Sequence, residues 1–343
     1  MKRLQEFWHE NNKEKDKSAC IVRCVPIFSI SFGGEEMFLK SDCYPEEYRT
    51  RVDYLNKHYE YCYLESMHYM NTIQNTDTII TGLSYGLDGI ESSRLSGRAL
   101  NFSMHAQDLY YDFKHIKKAV SDSASSIVQC VITLGYYSLF YDLSLSSNKW
   151  KCLGTYMPLF GDTHHANYEN IQIADMNYSK ECVGFYRQFF EESRSFYGRA
   201  ILREHTKSAM VTQKGSWQNM SASERDLEAY QLTEKHNRHI RHINTYQENV
   251  TILNEMIGFL SERGIRPVIV ILPTSKEYIK YINPQYKEVI LEQLEKMPYC
   301  IDFIDMNEEA FFDDNDILDS DHLNYNGALK ATLLLDGILK NTF

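Results

Sequence analysis

The sequence predicts an α/β fold in which a parallel sheet is covered by helices on both faces. Three observations predict it. Short β-branched apolar runs, "DTIITG", "SSIVQCVITL", "PVIVILP" and "IDFIDM", read as buried strands. Amphipathic stretches stand between them: "MHAQDLYYDFKHIKKAV" carries Leu109, Phe113, Ile116 and Val120 at helical spacing. Strand, loop and helix then alternate steadily to the end of the chain, which is the pattern of a parallel sheet covered on both faces.

Each element follows in order. Residues 1–75 form an N-terminal extension, with a polar start to about residue 19. A strand-like run "ACIVRCVPIFSISF" then ends at Gly33-Gly34, and a helix over 45–72 is opened by Pro45. Residues 76–343 form the main α/β domain. Its first strand is "DTIITG", "LSYGLDGI" is the loop leaving that strand's carboxyl end, and "RALNFS" is a second short strand. After "SSIVQCVITL", residues 142 to about 240 lose the strand rhythm and are rich in Tyr, His and Ser, so they read as an insertion of helices and loops. The helix "YQENVTILNEMIGFLSERGIRP" has Val250, Leu253, Ile257 and Leu260 on one face and Gly264 at its end. "NPQYKEVILEQLEKM" and "NYNGALKATLLLDGILKN" supply two further helices around the last strand.

Composition narrows the function. The 343 residues carry 36 Lys and Arg against 47 Asp and Glu, a net charge of −11. Nucleic-acid phosphate and anionic membrane surfaces are therefore excluded as expected partners, because both are bound through excess Lys and Arg. The longest apolar runs are too short to span a bilayer, and the first residues have no apolar core of a secretory signal, so a cytoplasmic location is expected. The eight cysteines are scattered and read as reduced structural thiols. No metal is expected. Cys20 and Cys24 lack a second tight pair, and His236, His239 and His242 have no carboxylate or cysteine beside them and read as a solvated basic helical face. His164-His165 reads as surface loop, with the lining of an acceptor site as the alternative. For Tyr136 and Tyr141, sugar stacking and core packing are both open.

The chemistry centres on Gly82-Leu83-Ser84-Tyr85-Gly86, a literal G-x-S-x-G. In α/β-hydrolases that pattern is a nucleophile elbow. A serine hydroxyl needs an imidazole within reach, and the imidazole needs an orienting carboxylate. The informative histidine is His322, in "ILDSDHLNYNGALKATLL", where Asp319-Ser320-Asp321-His322 follows the last strand and precedes the last helix. Ser84 and His322 thus lie on loops at carboxyl ends of strands, where ligand chemistry sits in parallel sheets. Asp319 is the expected acid. Asp321 competes, but adjacent to His322 it has a harder approach to Nδ1. Asn324, Asn326 and Gly327 read as the turn and cap of the last helix.

An Asp and a His three apart before the last helix, with the serine after the first core strand, resembles the SGNH/GDSL hydrolase superfamily. "DSDHLNYNGA" is particularly similar to the bacterial branch that modifies surface polysaccharides. The resemblance covers most of 76–140 and 247–340. It implies a flavodoxin-like three-layer sandwich and a Ser84-His322-Asp319 triad. It also implies an esterase or O-acyltransferase acting on a glycan or its precursor, with no cofactor beyond an acyl donor such as acyl-CoA if the enzyme is a transferase. An α/β-hydrolase would instead place acid and histidine on separate loops, which makes the G-x-S-x-G coincidental: Gly82 closes the strand and Gly86 lets the following helix pack close. Two positions depart from the family pattern. Ser103 stands where the second block has its oxyanion glycine, and Tyr137, two after the matching Gly135, stands where the third block has asparagine. Ser103, Gly135 and Tyr137 are accordingly the expected oxyanion and substrate contacts. Loss of the asparagine leaves a non-catalytic, glycan-binding or scaffolding protein as the alternative. The acyl group, the acceptor and the oligomeric state are not encoded in any feature of the sequence.

Overall fold

Apolar β-branched segments sort into strands that are buried on both faces. In the computed structural model, whose described residues are 60–72 apart from 62 and 66, 75–122, 126–166, 216–309 and 311–340, five strands form one sheet. They are β1 (Thr78–Gly82), β2 (Ala99–Asn101), β3 (Gln129–Leu134), β4 (Arg266–Ile271) and β5 (Asp302–Asp305). All pairings are parallel, and the spatial order is β2-β1-β3-β4-β5, the flavodoxin-like order. Ile80, Val131, Ile132, Val268, Ile269 and Val270 are wholly buried, each contributing about 1.5–3 kcal/mol of transfer free energy.

Helices cover both faces. They are α1 (Ser84–Gly89), α2 (Leu109–Asp122), α3 (Ala222–Asn237), α4 (Ile243–Ser261), α5 (Lys276–Tyr281), α6 (Gln285–Lys296) and α7 (Tyr325–Lys340), with single-turn α-helices at Met157–Phe160 and Ser216–Asn219. α2 and α4 pack on one another and on strands β1 and β4, while α7 packs on α1. The chain is thus a three-layer α/β sandwich, as its sequence predicts. Leu109, Phe113 and Ile116 of α2, and Leu253, Ile257 and Leu260 of α4, are buried at the positions their spacing requires. Gly264 closes α4 in the left-handed region (φ 68°), with Ile265 N–H returning to Leu260 O at 3.0 Å.

Two expectations change. "LSYGLDGI" is not a loop: Ser84–Gly89 is a helix that begins directly at the strand's end. The histidine stretch is not a solvated face. His236 and His239 turn inward and lie against the Tyr137 ring, at centroid distances of 4.2 and 5.3 Å. After β4 the chain turns through Pro273 and Thr274 into α5, where the Ser275 hydroxyl accepts from Tyr278 N–H at 3.0 Å and caps the helix. The described parts of 142–240 hold short helices, α3 and loops. The strand-like run near residue 20, the helix expected over 45–72 as far as residue 59, and residues 167–215 lie outside the described residues. Cys130 and Cys152 are buried free thiols and Cys300 an exposed one. Among the described residues no helix is long and apolar enough to cross a membrane.

The exit of β1 is the tightest point of the fold. Gly82 has φ 141°, and a Cβ there would lie 2.0 Å from Thr133 Oγ1 and 2.2 Å from the Thr133 carbonyl oxygen. Gly82→Ala combines backbone strain with a clash against a β3 main chain that cannot yield. It is expected to cost about 2–6 kcal/mol, read as a lower denaturation midpoint with an unchanged slope.

Candidate active site

The site is assembled where β1, β3, β4 and β5 end. Ser84 is the first residue of α1, so its hydroxyl leaves the sheet rim directly after Gly82 and Leu83. Gly86 lets that turn sit down: a Cβ there would meet Thr133 Oγ1 at 2.3 Å and Ser103 Oγ at 2.4 Å.

The opposing loop is a short folded-back segment. Ile317 and Leu323 pair as an antiparallel bridge, and Leu318 N–H donates to His322 O at 2.9 Å. Ser275 N–H donates to Ser320 O at 3.1 Å, tying this loop to the end of β4, and Ser320 N–H donates to Glu228 of α3 at 3.3 Å. The Asn324 side chain then accepts from Asn326 and Gly327 N–H at 2.9 and 3.1 Å and caps α7. Residues 319–322 are thereby held rigidly over the sheet edge.

Ser84 and His322 meet across 238 positions, with Oγ and Nε2 2.8 Å apart. His322 Nδ1 lies 3.0 and 3.2 Å from the two Asp319 oxygens, and Asp319 Oδ1 also accepts from His322 N–H at 2.8 Å. With the Nδ1 proton held on Asp319, Nε2 is the free acceptor and the Ser84 hydroxyl donates to it. The structure therefore brings the three expected catalytic side chains into one relay.

Asp321 is closer to the imidazole than adjacency in sequence suggests. Its Oδ1 lies 3.1 Å from His322 Nδ1, although Asp319 alone has the hydrogen-bond alignment. The approach is possible because Tyr85, beside the serine, reaches back: its hydroxyl donates to Asp321 Oδ2 at 2.8 Å, and its ring stacks on His322 at 5.3 Å. Asp321 is buried and Asp319 half-exposed, so the imidazole has one carboxylate in a dry environment and one in a wet one. Burial lowers the His322 pKa, but the charge of Asp321, 3.1 Å from Nδ1, and the bond to Asp319 outweigh it and hold the group well above its ordinary value of 6.5. Asp321 is held well below the ordinary carboxylate range, its burial overcome by His322 and the Tyr85 bond.

The three expected oxyanion contacts sit differently. Ser103 is buried against Gly86, but its N–H donates to Asn101 Oδ1 at 2.9 Å, while Asn101 Nδ2 donates to Gly86 O at 2.8 Å. Gly135 N–H donates to Ser138 Oγ at 2.9 Å. Tyr137 is drawn into a buried cluster with Tyr141, His236 and His239, its hydroxyl beside that of Tyr85. Tyr136 and Tyr141 are core residues: the Tyr136 hydroxyl donates to Asp305 at 2.9 Å and the Tyr141 hydroxyl to Ser146 at 3.3 Å. Sequence reasoning misses Asn101, Tyr85 and Asp88. Asp88 lies one turn beyond Ser84 on α1, is buried, and has its pKa raised by that burial despite His105 at 3.8 Å and His322. No spacing rule marks Tyr85 or Asp88, whose partners Asp321 and His105 come from other segments, and Asn101 gains its place only by joining the Ser103 amide to Gly86 O.

The electrostatics have a checkable sign. A raised His322 pKa stabilises the fold below pH 6.5, and that contribution is lost as pH rises through the folded value. A depressed Asp321 pKa stabilises it above 3.8, and that contribution is lost as pH falls through the folded value. Asp321→Asn should therefore lower the melting temperature most between those two pH values, with the difference shrinking at alkaline pH. The His322 imidazole, followed by NMR, should titrate above 6.5 in the parent and at lower pH in the variant.

No family model matches the chain, and no curated protein does. Among solved structures it is similar to a Streptococcus pneumoniae protein named for platelet activating factor, at 8% identity and a TM-score of 0.41, over 84% of this chain and 96% of that one.

Proposed function

We propose that the protein is a serine-dependent acyl-transfer enzyme of the SGNH type, an esterase or O-acyltransferase acting on a glycan or glycan precursor. The observation that carries this reading is the relay from the Ser84 hydroxyl through His322 to Asp319, with contacts of 2.8 and 3.0 Å. The glycan substrate rests on the resemblance of "DSDHLNYNGA" to polysaccharide-modifying members of that superfamily.

In the proposed reaction Ser84 Oγ attacks the acyl carbonyl as its proton passes to His322 Nε2. The resulting imidazolium is held by Asp319 and Asp321, and the developing oxyanion faces the Ser84 N–H, which has no acceptor within α1. The ester C–O bond breaks, and the leaving oxygen takes the proton from His322. Water or an acceptor hydroxyl then gives its proton to His322 Nε2 and attacks the acyl-serine carbonyl, the acyl C–Oγ bond breaks, and Ser84 Oγ takes that proton back from His322. In this reading the Ser84 N–H is the principal donor, because the Ser103 and Gly135 amides are held by Asn101 and Ser138 and Tyr137 is drawn into the aromatic cluster. A missing donor lowers turnover by about 10²–10³. A second reading, a non-catalytic glycan-binding or scaffolding protein, draws on the Ser103 and Gly135 amides both being engaged internally.

Hydrolysis of an aryl acetate and labelling by a fluorophosphonate separate the two. Ser84→Ala should abolish labelling and lower kcat/KM at least about 10⁴-fold. An unlabelled parent chain with no esterase activity would favour the binding protein. The parent's kcat/KM should rise with pH to a plateau whose midpoint lies above 6.5, because the base must be neutral.

A further inference from the structure

Away from the serine, four polar side chains converge from three parts of the chain. Asp142 follows the exit of β3, His164 and His165 lie in "FGDTHHANYEN", and Glu248 stands on α4. The two histidines are turned there by the backbone. Gly161 and His164 both take positive φ, 68° and 53°, and Asp162 Oδ1 accepts from His164 N–H at 2.8 Å. Asp162 Oδ2 is held in turn by the Tyr110 hydroxyl and, at 2.8 Å, by Lys114 of α2, and the Tyr110 ring stacks under His164 at 3.8 Å. Asn249, next to Glu248, donates to the carbonyls of Leu139 and Tyr141 at 3.2 and 2.9 Å, which fixes α4 against the β3 exit.

The arrangement has two faces. One Asp142 carboxylate addresses both Nδ1 atoms, His165 at 2.9 Å and His164 at 3.5 Å. Both Nε2 atoms address a single Glu248 oxygen, at 3.2 and 3.4 Å. A neutral imidazole has one N–H, so it cannot donate at both nitrogens. Satisfying all four contacts with protons requires two imidazolium rings stacked 3.9 Å apart. Moreover, the His164 side chain is only 6% exposed, and its Nδ1 makes no aligned hydrogen bond.

We infer that Asp142, His164, His165 and Glu248 form a binding site for a divalent transition-metal ion of the zinc class. The ion takes His164 Nε2, His165 Nε2 and Glu248 Oε1 as ligands, and Asp142 holds both rings through Nδ1. A single dication then replaces the two Nε2 protons, so the charge of the cluster is unchanged and the stacked cations disappear. The 3.2 Å separation of His164 Nε2 and Glu248 Oε1 matches the edge of a tetrahedron, about 3.3 Å for bonds of ~2.0–2.1 Å. Carboxylate support at the distal nitrogen is the usual second contact of a metal-bound histidine. His165, 45% exposed, turns out of the stack to complete the set, and the fourth position is left to water or an exogenous ligand. The ion fastens the 162–166 segment to α4 and the β3 exit, and makes no contact with Ser84 or His322.

The test uses the full chain, stripped with a chelator and titrated with Zn²⁺ by calorimetry and with Co²⁺ by absorption. The expected result is one ion per chain, a tetrahedral cobalt spectrum without thiolate charge transfer, and a Zn²⁺-dependent rise in melting temperature. His165→Ala at an exposed position and Glu248→Ala at a half-buried one should each weaken binding at least about 10-fold, and Asp142→Asn about 10–100-fold. Glu248→Gln serves if an alanine variant does not fold, and His322→Ala and His239→Ala should bind as the parent does. Absence of binding by the parent, unchanged affinity in His165→Ala and Glu248→Ala, loss confined to His322→Ala or His239→Ala, or a thiolate band would each overturn the site.

Discussion

The contact between the exit of β1 and Thr133 of β3 is the constraint on which the rest of the rim depends. Thr133 Oγ1 donates to Thr81 O at 3.1 Å, and both Gly82 and Gly86 pass it with no room for a side chain. Because neither glycine has a Cβ, α1 can start one residue after the strand ends and lie flat against β3. That compression puts the Ser84 hydroxyl at the sheet edge instead of several ångströms above it. The flavodoxin-like order then sets β3, β4 and β5 beside β1, so that loops from the end of the chain arrive at the same edge.

The histidine loop solves the complementary problem. A reactive imidazole must be held to within a few tenths of an ångström, yet residues 319–322 have no regular structure of their own. The Ile317–Leu323 bridge, the Ser275 amide, Glu228 and the Asn324 cap surround those four residues with backbone and side-chain bonds. Tyr85 links the two loops directly, because it follows the serine and bonds the second carboxylate. Two carboxylates on one imidazole are a compromise. They stabilise the protonated imidazole, and they deplete its neutral form near neutral pH.

The G-x-S-x-G illustrates how glycines can be required for a reason other than the pattern they complete. They serve packing against Thr133 and Ser103, while Asp319 and His322 approach Ser84 from a single loop. The histidines 164 and 165 show the reverse. Their sequence context is that of a surface loop, yet they meet Asp142 and Glu248, which lie 22 residues before His164 and 83 after His165.

Sequence by itself determines the strands, the principal helices and the pairing of Ser84 with the Asp319–His322 loop. Those depend on periodicity, on local capping and on which segments follow strands, all of which are written in neighbouring residues. Tertiary structure alone decides that Asp321 reaches Nδ1 beside Asp319, that Asn101 holds the Ser103 amide, that Tyr137 turns into a buried aromatic cluster, and that α1 begins where a loop is expected. Each of these is settled by contacts with other segments: Tyr85 for Asp321, Gly86 for Asn101, His236 and His239 for Tyr137, and Thr133 for the start of α1. Local propensity is silent about such contacts, because they are fixed only when the sheet order and the helix packing bring the partners together.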